Sequence, residues 1–309
     1  MGPGAARPFL IDTDTASDDA VALLMALRHP GVRVEAITVV AGNVSVEQGV
    51  QNALYTVELC GLETPVHTGA AAPLGRRLET AQVVHGQDGM GDLGLPLSGR
   101  EPAAGDAVDV ILATAERHAG ALTLVTLGPL TNLALALRRT PALARQVARC
   151  VAMAGTGNGR GNVTPAAEYN VWVDPEAAQL VLASGLPITL VGWDISCASA
   201  VIDPATASRL RAIGSERARF AIDIQRRLDV FARQVSGLAG FDLADPVAMA
   251  VALDPGIARS ERRRVVVGTG DGPDRGATAP GPVESGPGVE MVTQVSRERF
   301  LAMLEDALR

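Results

Sequence analysis

The residues best suited to chemistry are four aspartates within eight positions: Asp12, Asp14, Asp18 and Asp19. They follow an apolar segment that predicts a strand, and they precede an apolar segment, 21–27, that predicts a helix. We therefore expect the carboxylates on a strand–helix turn, at the sheet edge where open α/β folds bind ligands. Two carboxylates ~5 Å apart repel by roughly 3 kcal/mol at an effective dielectric of ~20. A divalent cation held by oxygen ligands would relieve that repulsion.

Helix capping is the alternative explanation for part of this cluster. Asp18 could accept hydrogen bonds from the first free amides of the helix, and Asp19 would suit the positive end of the helix. Capping does not account for Asp12 and Asp14, which alternate with threonines at the end of the strand and so point toward one face. A functional carboxylate cluster therefore explains more of the pattern.

Composition limits the classes of function. The chain has 309 residues, a net charge of −7 and 27 basic residues, all of them arginine. It has no basic stripe, so we expect no nucleic-acid partner, and the absence of lysine excludes a catalytic lysine. We expect no membrane span, since no apolar run reaches ~18 residues, and no signal peptide, since residues 1–8 lack its pattern. Three separated cysteines fit buried thiols in a reducing compartment, so we expect a cytoplasmic protein.

Strand and helix patterns alternate along most of the chain. They predict an α/β fold, namely a single doubly wound domain (residues 1–309) with a mostly parallel, Rossmann-like central sheet and extra C-terminal helices. After the first strand, we predict strands at 32–40, 64–69, 122–127, 149–153, 188–191 and 265–267. We predict later helices at 46–60, 108–118, 131–139, 174–185, 247–253 and 300–308, with two polar-faced helices in 203–235. Residues 70–107 predict a long loop of the kind that is usually functional.

Three further segments could supply oxygen ligands, the first two of them at the same sheet edge. Asn43 follows the second predicted strand, although an asparagine after glycine is more often a turn residue. The turn at Gly128 and Pro129 would leave the Leu127 carbonyl free to bind calcium, or would simply connect strand and helix. Asp245 precedes a proline, so its default role is an N-cap, but its carboxylate could also turn to a metal.

Two more segments carry hydrogen-bonding groups. Asn162, Glu168 and Asn170 lie in one polar stretch that suits a polyhydroxylated ligand, with a solvated loop as the alternative. His85, in the long loop, is the histidine best placed for acid–base or ligand work. The chain has no nucleophile-elbow, phosphate-loop or zinc-ligand motif.

Taken in order, these segments resemble the nucleoside hydrolase family of the inosine–uridine preferring type. The family signature D-x-D-P-G-x-D-D appears here as Asp12-Thr-Asp-Thr-Ala-Ser-Asp-Asp19. The segments around Asn43, at 127–132, at 162–170 and at Asp245-Pro246 match in order and rough spacing, and 85–91 resembles a further family loop. The resemblance covers nearly the whole chain.

The resemblance implies Ca²⁺-dependent hydrolysis of the N-glycosidic bond of ribonucleosides to free base and ribose. The metal would bind the attacking water and the ribose 2′- and 3′-hydroxyls, with ligands from Asp14, Asp19, the Leu127 carbonyl and Asp245. Asp14 would be the general base, and Asp12 would support the cluster. The remaining implied contacts are with the ribose: Asp18 at the 2′-hydroxyl, Met153 beneath the sugar, and Asn43, Asn162, Glu168 and Asn170 around it. We also expect a homodimer or homotetramer.

One departure from the family pattern affects the departing base. Ala244 stands where many members carry a histidine that helps to protonate the base. His85 as acid and Trp193 as stacking partner are the candidates to replace it. Two alternatives remain: a haloacid-dehalogenase-type phosphatase with Asp12 as nucleophile, although that family normally uses a lysine, and a calcium-dependent nucleoside binder that has lost catalysis.

Overall fold

The computed structural model describes residues 6–284 and 286–309. Its strands are β1 (Arg7–Thr13), β2 (Val32–Val39), β3 (Val66–Thr68), β4 (Leu122–Thr126), β5 (Val147–Met153), β6 (Ile188–Val191), β7 (Val201–Ile202), β8 (Phe241–Asp242), β9 (Ala258–Val267), β10 (Thr278–Gly281) and β11 (Val289–Val295).

The helices before the last third of the chain are α1 (Ser17–Arg28), α2 (Val46–Leu59), α3 (Gln82–His85), α4 (Ala107–Arg117), α5 (Thr131–Arg139), α6 (Leu143–Gln146), α7 (Tyr169–Val173), α8 (Pro175–Leu182) and α9 (Trp193–Ser199). They are followed by α10 (Pro204–Arg211), α11 (Glu216–Asp223), α12 (Arg226–Gln234), α13 (Ala244–Leu253) and α14 (Arg297–Leu308), with a 3-10 turn at Pro255–Ile257.

Nine of the strands form one sheet in the order β10–β9–β11–β6–β5–β4–β1–β2–β3, and β7 and β8 form a separate antiparallel pair. Across this sheet, the neighbouring strands from β3 at one edge as far as β11 all pair in parallel. At the other edge, β9 pairs antiparallel with β11 and with β10. The run β3–β2–β1–β4–β5–β6 is the doubly wound order, whose direction of winding reverses between β1 and β4. The predicted fold class is confirmed, and the reversal marks the edge where a ligand pocket is expected.

Helices cover both faces of the sheet, so its central strands are buried on both sides. One core cluster joins α1, α2, α13 and α14 to one face, and the other joins α4, α5 and α8 to the opposite face. Every residue of α13 is buried, which explains its run of alanine, valine and methionine. The first turns of α1 and α13 therefore lie inside the protein, at the carboxyl end of β1.

Two sequence predictions for the last third of the chain are wrong. The segment 203–235 forms three helices, α10, α11 and α12, since Gly214, at a positive φ of 82°, separates the first two. Asp245 is not an N-cap: α13 begins at Ala244, with Leu243 as the cap residue, so Asp245 lies in the first turn. Its carboxylate is therefore free of the capping role.

In residues 6–284 and 286–309, no helix is both long enough and apolar enough to cross a bilayer.

Two Asp-Pro helix starts provide a matched test of packing. Asp174 is fully buried, caps α8 through the Ala177 amide, and also accepts hydrogen bonds from the Leu74 amide and the Thr131 hydroxyl. Asp203 caps α10 through the Thr206 amide and is partly exposed.

We expect Asp174→Ala to lower the free energy of unfolding by about 3 kcal/mol, because a cap and two further hydrogen bonds, one of them buried, are lost together. Asp203→Ala should cost clearly less. Urea denaturation of both variants checks this, and equal losses would contradict the structural role given to Asp174.

Candidate active site

Three carboxylates meet where the first turns of α1 and α13 approach each other. One oxygen from each of Asp18, Asp19 and Asp245 lies within 4.8 Å of the others, and all three residues are buried. Asp19 is held in place by the Thr13 hydroxyl at 2.6 Å and the Ala16 amide at 2.9 Å. This trio could hold a metal ion, and the positive ends of two helices favour its negative charge.

Asp14 lies beside this trio, directly after β1. Its Oδ2 accepts a hydrogen bond from the Asn43 amide at 2.6 Å. Glycines pack against it on two sides: a Cβ at Gly42 would lie 2.1 Å from Oδ2, and a Cβ at Gly128 would lie 2.8 Å from Oδ1. Since these distances are too short for any side chain, the turns after β2 and β4 require glycine to accommodate the Asp14 carboxylate.

The buried negative charges of the cluster would be stabilised by a bound cation. Burial, and next the negative charge of Asp19, raises the pKa of Asp14, of Asp18 and of Asp245 well above the usual range. Asp14 Oδ1 and Asp18 Oδ1 are buried without a hydrogen-bond partner in the described part of the chain. Buried acceptors are normally satisfied, so an all-oxygen donor set with two unpartnered oxygens fits a hard divalent ion.

The Leu127 carbonyl lies at the end of β4, as predicted, and accepts a hydrogen bond from Asn170 Nδ2 at 2.6 Å. The same Nδ2 lies 3.1 Å from the Met153 carbonyl oxygen and 3.4 Å from the Met153 sulfur. Asn170 therefore links the ends of β4 and β5. A carbonyl oxygen has two lone pairs, so the Leu127 carbonyl could still accept a second partner.

Glu168 caps α7 rather than standing free in a loop. Its Oε1 accepts from the Asn170 amide at 2.8 Å, and its Oε2 accepts from the Gly155 amide at 2.7 Å and the Val171 amide at 3.3 Å. Burial raises the pKa of Glu168 to about 7. Asn162 lies nearby, and its Oδ1 accepts from the Tyr169 amide at 2.9 Å. The 162–170 segment is thus held by hydrogen bonds at Asn162 and Glu168, and it is buried at its end while Val163 and Pro165 are exposed.

A pocket opens beside the acidic cluster. Its polar lining includes Asp18, Asn43 and Asn162, and its apolar lining comes mainly from α3 and α12: Val84, Leu228, Phe231 and Ala232. Such a combination suits a ligand with one polyhydroxylated end and one flat, largely apolar end. Asp18 belongs both to the acidic trio and to the pocket lining, so it connects the two.

His85 ends α3 and borders this pocket, as the sequence suggested. Its Nδ1 is 2.9 Å from the Ser17 hydroxyl and 3.8 Å from Asp18 Oδ1. Burial lowers the pKa of His85 to about 4, so the ring is neutral at pH 7.

The long loop that carries His85 is tied to the aspartate turn by Asn52, whose Nδ2 donates to the carbonyls of Thr15 and Asp88, both at 2.9 Å. Sequence analysis missed Asn52 because it lies inside an apolar helix pattern.

Trp193 also borders the pocket, and its Nε1 donates to Asp242 Oδ2 at 3.0 Å. Asp242 is a pocket residue that the sequence analysis did not single out. Ala244 also lines the pocket. This position agrees with the expectation that the corresponding histidine of many family members acts on the base. The structure thus brings the predicted residues to one sheet edge, with Met153 and Glu168 behind them.

Asp12 lies apart from this group of pocket residues. It is fully buried, and its Oδ1 accepts from the Thr38 hydroxyl at 2.6 Å and from Asn132 Nδ2 at 2.8 Å. A nucleophile must reach its substrate, so this environment gives no support to the phosphatase alternative. Burial raises the pKa of Asp12 from 3.8 to about 7.

This pKa shift predicts a pH effect on stability. Between about pH 4 and pH 7 the unfolded chain releases the Asp12 proton while the folded chain retains it, so folding stability falls as pH rises. The isosteric variant Asp12→Asn lacks this titration. Relative to that variant, the wild type should lose up to about 4 kcal/mol across the window. Urea denaturation in metal-free buffer at both ends of the window measures it, and parallel pH curves would contradict it.

Fold and site together define a doubly wound α/β protein with an acidic cluster that could hold a metal ion at the mouth of a ligand pocket. The family model of the inosine-uridine preferring nucleoside hydrolases matches residues 9–302. The chain belongs to this family, and with it to the enzymes that cleave N-glycosidic bonds.

Individual relatives agree with this assignment. The pyrimidine-specific ribonucleoside hydrolase RihA of Salmonella typhimurium is 36% identical over 315 aligned positions, which cover 98% of this chain and 99% of the relative. A solved plant nucleoside hydrolase, PpNRh1, is similar with a TM-score of 0.93 and 31% identity over 98% of both chains. A purine-preferring ribonucleoside hydrolase from Gardnerella vaginalis has a TM-score of 0.91 and 29% identity, again over 98% of both chains.

Proposed function

We propose that the protein hydrolyses ribonucleosides to free base and ribose, with Ca²⁺ as its metal and Asp14 as general base. The observation that carries the proposal is the continuity between the acidic cluster and the pocket at Asp18. In this arrangement a sugar bound at the carboxylates places its base against the apolar wall.

The carboxylates of Asp14, Asp19 and Asp245 and the Leu127 carbonyl would hold the ion. When bound, Ca²⁺ would polarise a water molecule and orient the vicinal ribose hydroxyls. Calcium suits this site because it accepts carboxylate and carbonyl oxygens in flexible geometry. Asp18 also lies within the trio, so its predicted contact with the 2′-hydroxyl would occur next to the ion.

Asp14 would take the proton from the attacking water through Oδ1, the oxygen without a hydrogen-bond partner in the described chain. Cleavage of an N-glycosidic bond passes through an oxocarbenium-like sugar. The fixed carboxylates around the sugar would stabilise this developing positive charge without reorganising.

The ribose hydroxyls would be held by amide side chains. Asn170 is fixed through its Nδ2, which leaves its Oδ1 to accept from a hydroxyl, and Asn162 is fixed through its Oδ1, which leaves its Nδ2 to donate. Asn43 lines the pocket beside them. Met153 would pack beneath the sugar. Glu168, whose oxygens bind three backbone amides, would contribute mainly by fixing Asn170.

The departing base would be met by His85 and Trp193. If the Ser17 hydroxyl donates to His85 Nδ1, the neutral ring carries its proton on Nε2 and can donate a hydrogen bond from Nε2–H to the departing base. The Trp193 ring would stack on the base while its Nε1 stays bound to Asp242.

A nucleoside panel tests the proposal. Because one relative is named pyrimidine-specific and another purine-preferring, the panel must contain uridine, cytidine, inosine, adenosine and guanosine. Release of reducing sugar with calcium present is expected for at least one of them. Calorimetric binding of a nucleoside without any release would instead identify a binder, and release of phosphate from a generic phosphoester would identify a phosphatase.

The homodimer or homotetramer and the cytoplasmic location stay predictions. Analytical ultracentrifugation of the purified chain would measure the first.

A further inference from the structure

Asp242 is an acidic residue of the pocket that the mechanism above leaves without a role of its own. It ends β8, two residues before Ala244, and both residues border the pocket. Only 7% of Asp242 is exposed, and burial raises its pKa. Its negative charge in turn raises the pKa of Asp18, so the two carboxylates are close enough to interact unfavourably.

In the described part of the chain, both side chains that donate to Asp242 bind the same oxygen. Trp193 Nε1 at 3.0 Å and the Ser196 hydroxyl at 2.6 Å both donate to Oδ2. Neither of these two side-chain hydrogen bonds, the ones that Asp242 accepts in residues 6–284 and 286–309, involves Oδ1. These anchors fix the rotation of the carboxylate, so Oδ1 of this pocket-lining residue is held in one direction.

Anchoring Trp193 does not require a charge. An asparagine oxygen could accept the same two hydrogen bonds without repelling Asp18. The charge of the carboxylate therefore needs another explanation. Asp242 lines the pocket together with Ala244 and Trp193, so contact with a bound ligand would explain the charge.

We propose that Asp242 is a specificity-determining residue whose Oδ1 accepts a hydrogen bond from a ring N–H of the nucleobase. The inference rests on the proposed function, since it assumes that a nucleoside occupies the pocket. Uracil, hypoxanthine and guanine carry such an N–H beside a carbonyl. Cytosine and adenine present a ring-nitrogen lone pair there, which a carboxylate repels. The preferred substrates are thus nucleosides of the lactam-type bases.

The anchors make Asp242→Asn a sharp test. Trp193 and Ser196 both donate, so the amide oxygen must face them and the NH₂ group must take the place of Oδ1. The variant keeps shape and anchors but presents a donor instead of an acceptor. Asp242→Ala removes both the shape and the anchors. Asp203→Asn, just after the partner strand β7, is the matched control because Asp203 only caps α10.

The measurement is the ratio of kcat/KM for uridine over cytidine and for inosine over adenosine. We expect the wild type and Asp203→Asn to favour the base with the ring N–H, and Asp242→Asn to lower both ratios at least about tenfold. Thermal unfolding shows whether each variant folds.

A substrate pair keeps the test valid if the variants fail to fold. The added methyl group of 3-methyluridine removes the ring N–H, whereas that of 5-methyluridine leaves it, so the wild type should hydrolyse the second at least about tenfold better. Equal rates for the pair, or ratios unchanged in Asp242→Asn, would overturn the inference while nucleoside hydrolysis stands. Failure of the wild type on every nucleoside would overturn the proposed function itself.

Discussion

Replacing Asp14 with asparagine is expected to lower kcat by about 10²–10⁴-fold, the usual contribution of a general base. Asparagine has the same shape, which matters because Gly42 and Gly128 leave no room around this side chain. The amide oxygen can still accept from the Asn43 amide. The loss would therefore report the missing carboxylate, both as metal ligand and as proton acceptor, and not a displaced turn.

The same variant makes a second, independent prediction. In metal-free protein, removal of one charge from a buried acidic cluster relieves repulsion, so Asp14→Asn should unfold at a temperature equal to or above that of the wild type. Asp109→Asn, on an exposed carboxylate paired with Arg139, is the control for both measurements. Turnover of Asp14→Asn near the wild-type rate would remove Asp14 as the base.

Removal of calcium by a chelator is expected to lower activity by about two orders of magnitude or more, and readdition should restore it. Stability should change in parallel. Carboxylate oxygens within 4.8 Å of one another repel by at least about 3.5 kcal/mol per charged pair at an effective dielectric of about 20 when no cation separates them. An ion present at about 100 times its Kd stabilises the folded state by about 2.7 kcal/mol.

The control for this experiment is the chelator already saturated with calcium, which should leave rate and unfolding temperature unchanged. Full activity in chelator, after dialysis that leaves less than one equivalent of metal, would show that the carboxylates act without an ion.

Much of the site could be predicted because its residues follow strand ends. Parallel strands bring their carboxyl ends to one edge, so Asp14, Asn43 and Leu127 had to lie near one another once β1, β2 and β4 were identified. The 188–191 strand and the helix that begins after Asp174 are clear from sequence because apolar runs and an Asp-Pro start mark them. The approach of Asp245 required the resemblance, since nothing local links it to residues two hundred positions earlier.

Other features lack a local signal. The long strand β9 carries Arg262, Arg263 and Arg264, which interrupt the apolar pattern by which a strand is recognised. Its pairing with β11 and β10 depends on contacts between residues distant in sequence. Asp242 belongs to a two-residue strand, too short to give periodicity. The capping role of Glu168 depends on where the chain turns at α7, which the polar composition of 162–170 does not specify.

The most direct test of the account is a calorimetric titration of metal-free protein with Ca²⁺. The wild type and the control Asp254→Asn, at an exposed carboxylate paired with Arg299, are expected to bind one ion per chain. Asp245→Asn should weaken that binding by about two orders of magnitude, as loss of one charged ligand of a shared ion requires. If the wild type binds no ion, or if Asp245→Asn binds as tightly as the wild type, the acidic residues at the start of the chain and Asp245 do not share a metal.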